Sequence, residues 1–599
     1  MRIINTFKNK LSKKKKLAIL FPIFVLILIG SGCYISQHLS ATEEERFDHY
    51  TDQLFCQELS GNTLSLHYTL KNPARYNIAT APISLGSYQT DSASVSAAME
   101  NSLSRLHSYD KSKLSKEQQI TYEILDFSLT ASLKNSSYLL YEEPLAPLTG
   151  TQAQLPVLLS EYQFYKKQDI DTYLALLGEI PEYFASILTF EEEKAKQGLF
   201  MSLSQADAII EECETFINLQ ENNYLYSSFS ERIQSLDLSP KITDAYIEKN
   251  SDCIKQYVIP AYEQLKQGIT SLRETGTNSG GLCHLPKGIP YYELLVATET
   301  GSSRSIPELQ QLTKKQIKED LFSIQKTLSD ISDDQPSPSS DFFKSQGVVL
   351  EDSNPSAILS SLKSNLSGHF PAPPNVNVQI KYVSKEMENY LSPAFYLIPA
   401  IDNTEENIIY INNGHMSDDI SLYTTLAHEG YPGHLYQTTY FAGQNPDPIR
   451  NLLDFGGYTE GWATYSEMLS YYFAPIEKPQ ATLMQKNTSI LLGLYALADM
   501  GIHYDGWSLF DTIAFFRGYG ITDTDAIEEI YDLILSDPAN YLKYYIGYLK
   551  FLDLQKYAKK ALGEKYTDRA FHEAVLRIGP APFDIIKKYL LDYIPESGK

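Results

Sequence analysis

Apolar residues recur at helical spacing along nearly the whole of this 599-residue chain, and one short window alone reads as β. From about residue 42 to 280 they fall three and four apart between charged faces, as in DIDTYLALLGEIPEYFASILTFEEEKAKQG from Asp169 to Gly198. That is the period of a helix with one buried stripe. Proline clusters at Gln335–Ser340 and Phe370–Pro374 interrupt the pattern and mark loops. Three strand-like runs follow: VNVQIKYV (Val376–Val383), AFYLIPAI (Ala394–Ile401) and NIIYINN (Asn407–Asn413). Helical pattern then resumes nearly to the C-terminus, broken at Gly456-Gly457 and Asp537-Pro538. The expected fold is mainly α with one small β-sheet. Its expected parts are an N-terminal segment (1–36), a helical scaffold half (37–280) and a second half (281–599), the two halves forming one structural unit.

The N-terminus constrains location. Leu17 to Ile35 holds nineteen residues without a charge, directly after Lys13, Lys14, Lys15 and Lys16. A stretch this long can span a bilayer, and its basic flank stays in the cytoplasm, so the rest of the chain is expected on the extracytoplasmic face of the cell membrane. Gly30-Ser31-Gly32-Cys33 is similar to the lipobox of bacterial lipoproteins, although Gly30 stands where leucine is usual. A lipidated Cys33 and an uncleaved signal anchor both remain open. Cys56, Cys213, Cys253 and Cys283 allow three disulfide connectivities or stand as structural, buried thiols; no CxxC pair points to a metal. A formal net charge of −24 excludes a nucleic-acid partner, which needs a basic face.

Chemistry concentrates in SDDISLYTTLAHEGYPGHLYQTTY, Ser417 to Tyr440. A capping signal opens a helix whose apolar face holds Ile420, Tyr423 and Ala427, and His428 with Glu429 looks elsewhere. In a zinc-peptidase helix two histidines four apart share one ion and the glutamate between them is the general base. Here the second histidine, His434, is six positions on, about 240° around an unbroken helix. Pro432 and Gly433 lie between them, and a kink there would return His434 to the metal. A catalytic zinc needs a third protein ligand, and Glu460 in YTEGWATYSE is the best placed acid. Glu467, two turns later, is suited to orient a histidine. His49, His67, His107, His284, His369, His415 and His572 show no partner pattern and read as structural or exposed.

HEGYPGH (His428–His434), EGWA (Glu460–Ala463), DMGIHYDGW (Asp499–Trp507), YYIG (Tyr544–Gly547) and GPAPFDII (Gly579–Ile586) occur in the order found in the bacterial domain-of-unknown-function family numbered 885. The chain resembles that family most clearly over residues 280 to 599. Leu435 stands where many members carry a further histidine. The resemblance implies a helical zincin-like metallopeptidase fold, similar to thimet-type oligopeptidases and thermostable carboxypeptidases. In those folds an edge strand beside the zinc helix binds the substrate backbone, and NIIYINN is the candidate strand. The family motifs also offer His503 and Tyr544 as donors to a transition-state oxyanion.

The expected function is zinc-dependent hydrolysis of peptide substrates, one Zn2+ per chain. His428, His434 and Glu460 are the expected metal ligands, Glu429 the general base, and His503 or Tyr544 the oxyanion donor. The alternative is a non-catalytic zincin-like surface protein that binds peptide or cell-wall ligands. The intact Glu429 argues against it. No GxSxG elbow, P-loop or dinucleotide fingerprint supports another enzyme class.

Overall fold

In the computed structural model, residues 41–594 are described, apart from 79–80, 333–352, 384, 386–387, 389–390 and 417. The N-terminal anchor with Cys33, and the proline-rich loop 335–340, lie outside the described residues. No described helix is long and apolar enough to cross a membrane.

Helices dominate because the three-and-four spacing runs unbroken for many turns. Helix α1 (Lys167–Lys196) buries Ile170, Tyr173, Leu177, Ile180, Phe184 and Ile187 on one stripe. This helix and α2 (Leu203–Asn218) both pack on α3 (Ile259–Leu272) through a core that runs from Leu64 to Tyr410. A larger core reaches from Ile120 to Tyr593 and includes α4 (Gly288–Thr300) and α5 (Ile306–Ser332).

The strand signal is real and compact. Strands β1 (Asn377–Tyr382), β2 (Ala394–Leu397) and β3 (Glu406–Ile411) form one sheet in the order β1-β3-β2. β3 pairs in parallel with β1, Asn377 opposite Glu406, and antiparallel with β2, Ala394 opposite Ile411. The run NIIYINN is therefore the central strand, and the expectation that it forms the edge is corrected. Its two faces explain its composition: Ile409 and Ile411 enter the larger core while Tyr410 enters the other. A strand covered on both faces reads as a continuous apolar run, which is the opposite of an edge signature. The edge beside the histidine helix is β2.

Beyond the sheet come α6 (Asp419–Glu429), α7 (His434–Ala442), α8 (Gly456–Ser470), α9 (Lys478–Met500), α10 (Asn540–Leu562) and α11 (Asp568–Ile578). α8 and α10 make the most extensive of the helix contacts. They cross where Gly461 meets Gly547: a β-carbon on Gly461 would stand 2.5 Å from the Gly547 Cα. Only glycine permits this approach. The four described cysteines are free thiols, so none of the three disulfide connectivities forms.

Candidate active site

Asp418 caps α6, its side chain accepting the Ser421 N–H at 2.8 Å. The helix stops at Glu429, and α7 begins five residues later at His434. Gly433 makes the turn: a β-carbon there would lie 1.8 Å from the His428 carbonyl oxygen. Its N–H donates to Ala427 O at 2.9 Å. The Pro432 carbonyl accepts the Trp462 indole N–H at 2.8 Å and the Ser466 hydroxyl at 3.3 Å, both from α8. The EGWA tryptophan thus pins the turn that carries His434.

The kink brings the two imidazoles together, ring centroids 4.9 Å apart and nearly perpendicular. His428 Nε2 lies 3.5 Å and His434 Nε2 3.3 Å from Glu460 Oε2. One ligand atom from each residue can be chosen so that all three lie within 4.8 Å of one another. Bonds of about 2.0–2.2 Å in a tetrahedron place ligand atoms roughly 3.3–3.6 Å apart, so both spacing and donor chemistry fit zinc. On the far side of His428, Nδ1 lies 3.1 Å from Glu467 Oε2. That partner keeps the proton on Nδ1 and leaves the Nε2 lone pair free for a metal. Burial pushes the Glu460 carboxyl up, but the two facing imidazoles hold it well below the usual carboxylate range.

Glu429 is 9% exposed and points to the sheet, its Oε2 accepting the Tyr396 backbone N–H of β2 at 2.8 Å. Burial raises its pKa against the pull of His434 and His428. Tyr544 of α10 lies with its ring 6.2 Å from that of His428, and burial drives its phenol well above the usual value. All these groups line one cleft of about 700 Å3, with Ala394–Tyr396 of β2 along one wall.

His503 is not part of this assembly. It is 1% exposed, its Nε2 donates to Ile534 O at 2.8 Å, and its Nδ1 accepts the Leu282 N–H at 3.2 Å. Burial lowers its pKa to about 4. With both ring nitrogens held by backbone and no place on the cleft wall, it braces the fold; of the two candidate donors only Tyr544 lines the cleft. Asp499 of the same motif accepts the Ala539 N–H at 3.0 Å and so fixes the start of α10, the helix that presents Tyr544. Sequence reasoning overlooked Tyr396, Trp462, Gln437 and Arg450. For Gln437 a signal existed, since it follows His434 by three residues and shares its helical face.

The chain belongs to the family described as bacterial protein of unknown function (DUF885), whose model matches residues 86–590. No curated protein matches it. Among solved structures, a predicted lipoprotein from Colwellia psychrerythraea superposes with a TM-score of 0.80 at 19% identity, covering 92% of this chain and all of that one. A predicted lipoprotein of unknown function from Shewanella oneidensis gives 0.64 at 17%, again over 92% of this chain and all of the other. These likenesses show a shared fold.

Proposed function

We propose that this DUF885 protein is a zinc-dependent peptidase tethered to the outer face of the bacterial cell membrane. The observation that carries the reading is the convergence of His428, His434 and Glu460 beside Glu429 in an open cleft. His428, His434 and Glu460 would hold a zinc ion, which would supply Lewis acidity toward the scissile carbonyl and the attacking water. Glu467 holds the His428 tautomer that leaves Nε2 free. Glu429, one oxygen fixed by the Tyr396 N–H, takes the proton of the attacking water and passes it to the leaving amine. The Tyr544 phenol donates to the oxyanion. An extended peptide adds to the free edge of β2, where Ala394–Tyr396 line the cleft. The uncharged stretch from Leu17 to Ile35 and the lipoprotein names of the structural relatives support the membrane tether.

The test is metal content by plasma mass spectrometry on the full chain in detergent, with peptide hydrolysis assayed on the same samples. One zinc per chain is expected in the wild type, lost together with hydrolysis in His434→Ala and Glu460→Gln. Zinc retained in both variants overturns the ligand set. A wild type that takes up no metal yet binds peptide is instead a binding protein.

A further inference from the structure

Two side chains that line the cleft carry a buried N–H that the protein satisfies poorly. Arg450 is 5% exposed and lines the cavity. Its Nη2 donates to Ile578 O at 2.9 Å and Pro580 O at 2.8 Å. Nε is buried without a partner, and among the described residues no carboxylate lies within 4.0 Å of the guanidinium. Gln437, 3% exposed, lines the same cavity one helical turn after His434, and its Nε2 is buried with no protein acceptor but the Tyr458 phenol. The two are neighbours: burial pushes the Tyr458 phenol up, and the Arg450 charge and a hydrogen bond from the Gln437 amide pull against it.

A guanidinium cannot escape burial by losing its proton, and a buried charge with no counter-ion is costly. Holding two backbone carbonyls at the end of α11 needs a donor, and a neutral amide would serve. The Asp447 carboxylate acts on this charge only from a distance, so no direct ion pair consumes it, and beside it stands the Gln437 amide with just the Tyr458 phenol for company. A planar anion with two acceptor oxygens matches both. Phe441, whose ring lies 5.3 Å from the Arg450 guanidinium carbon, also lines the cleft and fixes the guanidinium in place.

We propose that Arg450 and Gln437 form a carboxylate subsite that receives the C-terminal carboxylate of a peptide. This deepens the peptidase reading and rests on it: a substrate anchored by its end in a cleft of about 700 Å3 is cut within a few residues of that end. Water adds across that peptide bond, the carbon–nitrogen bond breaks, and the released fragment carries the carboxylate that Arg450 held.

The test uses three N-acetylated peptides of one sequence on the full chain: free acid, C-terminal amide, and an amide ending in an added glutamate. Mass spectrometry of the products locates the bond cut. The wild type is expected to favour the free acid through KM by about tenfold to a hundredfold. Gln437→Glu, which is isosteric and gives Arg450 an internal counter-ion, is expected to erase that preference, as is Arg450→Met. Equal cleavage of acid and amide by the wild type, or a preference that survives both variants, overturns the subsite. Equal use of the glutamate-ending amide assigns it to an acidic side chain and overturns the terminal assignment. Where no peptide is cut and no zinc is bound, the peptidase reading fails by itself. Calorimetric binding of the acid against the amide then decides the subsite by the same preference.

Discussion

Glu429 and His428 are adjacent in sequence but answer to different partners, one to the sheet edge and one to α8. That division permits a clean separation of the proposed base from the proposed ligand. Glu429→Gln keeps an oxygen for the Tyr396 N–H and leaves the ligand set intact, so zinc content is expected to stay at one per chain. Hydrolysis is expected to fall by about 10²- to 10⁴-fold, read as kcat on the same preparation. Loss of zinc along with activity would make Glu429 a ligand. At this scale the sequence exposed what local chemistry exposes. A histidine beside a glutamate, a proline and glycine before the next histidine, and an acid thirty residues on are legible as a metal pattern. Which way a motif residue faces is not legible: His503 and Tyr544 have equal claims on paper, and only the Ile534 carbonyl and the Leu282 amide show that the first is occupied. Arg450 escaped notice because the carbonyls it holds, those of Ile578 and Pro580, come from a distant segment.

Among the elements, the crossing of α8 and α10 sets the geometry, since Glu460 precedes Gly461 and Tyr544 precedes Gly547 by one turn. A β-carbon on Gly547 would meet Gly457 O at 2.2 Å and the Gly461 Cα at 2.7 Å, backbone that cannot swing aside. Gly547→Ala is therefore expected to force the helices apart, costing about 1–3 kcal/mol of stability and weakening zinc affinity, measured by thermal unfolding and metal titration. Gly178, inside α1, has nothing within 4 Å of its would-be β-carbon. Gly178→Ala should stabilise by about 0.5–1 kcal/mol with zinc affinity unchanged. If both substitutions destabilise alike, the crossing is not the tight point. The positions of the three strands and the break after Glu429 could be read from composition and proline placement. Pairing order could not: period and apolarity say that NIIYINN is a strand, but its neighbours are set by residues far along the chain.

The whole molecule carries a formal net charge of −24, yet its described interior holds titratable groups of opposite kinds whose pH responses oppose each other. His503 is buried neutral, its pKa lowered by burial from 6.5 to about 4. The unfolded chain binds this proton first, so the stability His503 contributes is complete above pH 6.5 and is lost as pH falls toward 4, by about 2 kcal/mol at pH 5. Asp499 runs the other way. Burial raises its pKa to about 7, against hydrogen bonds from Tyr292 and Ala539, so its contribution is complete below the unfolded value of 3.8 and is lost as pH rises through 7. By linkage that loss approaches about 4 kcal/mol at pH 8. Global stability mixes these with other buried groups, but differences against non-titrating variants isolate each one. His503→Gln, which can still donate and accept, should lie below the wild type at pH 7, with the gap narrowing as pH drops to 5. Asp499→Asn should gain on the wild type as pH climbs from 4 to 8. Both gaps are read from denaturant midpoints across the range. Two gaps with the same pH slope would mean that neither group titrates inside the fold, and the brace that holds the start of α10 would then owe nothing to charge.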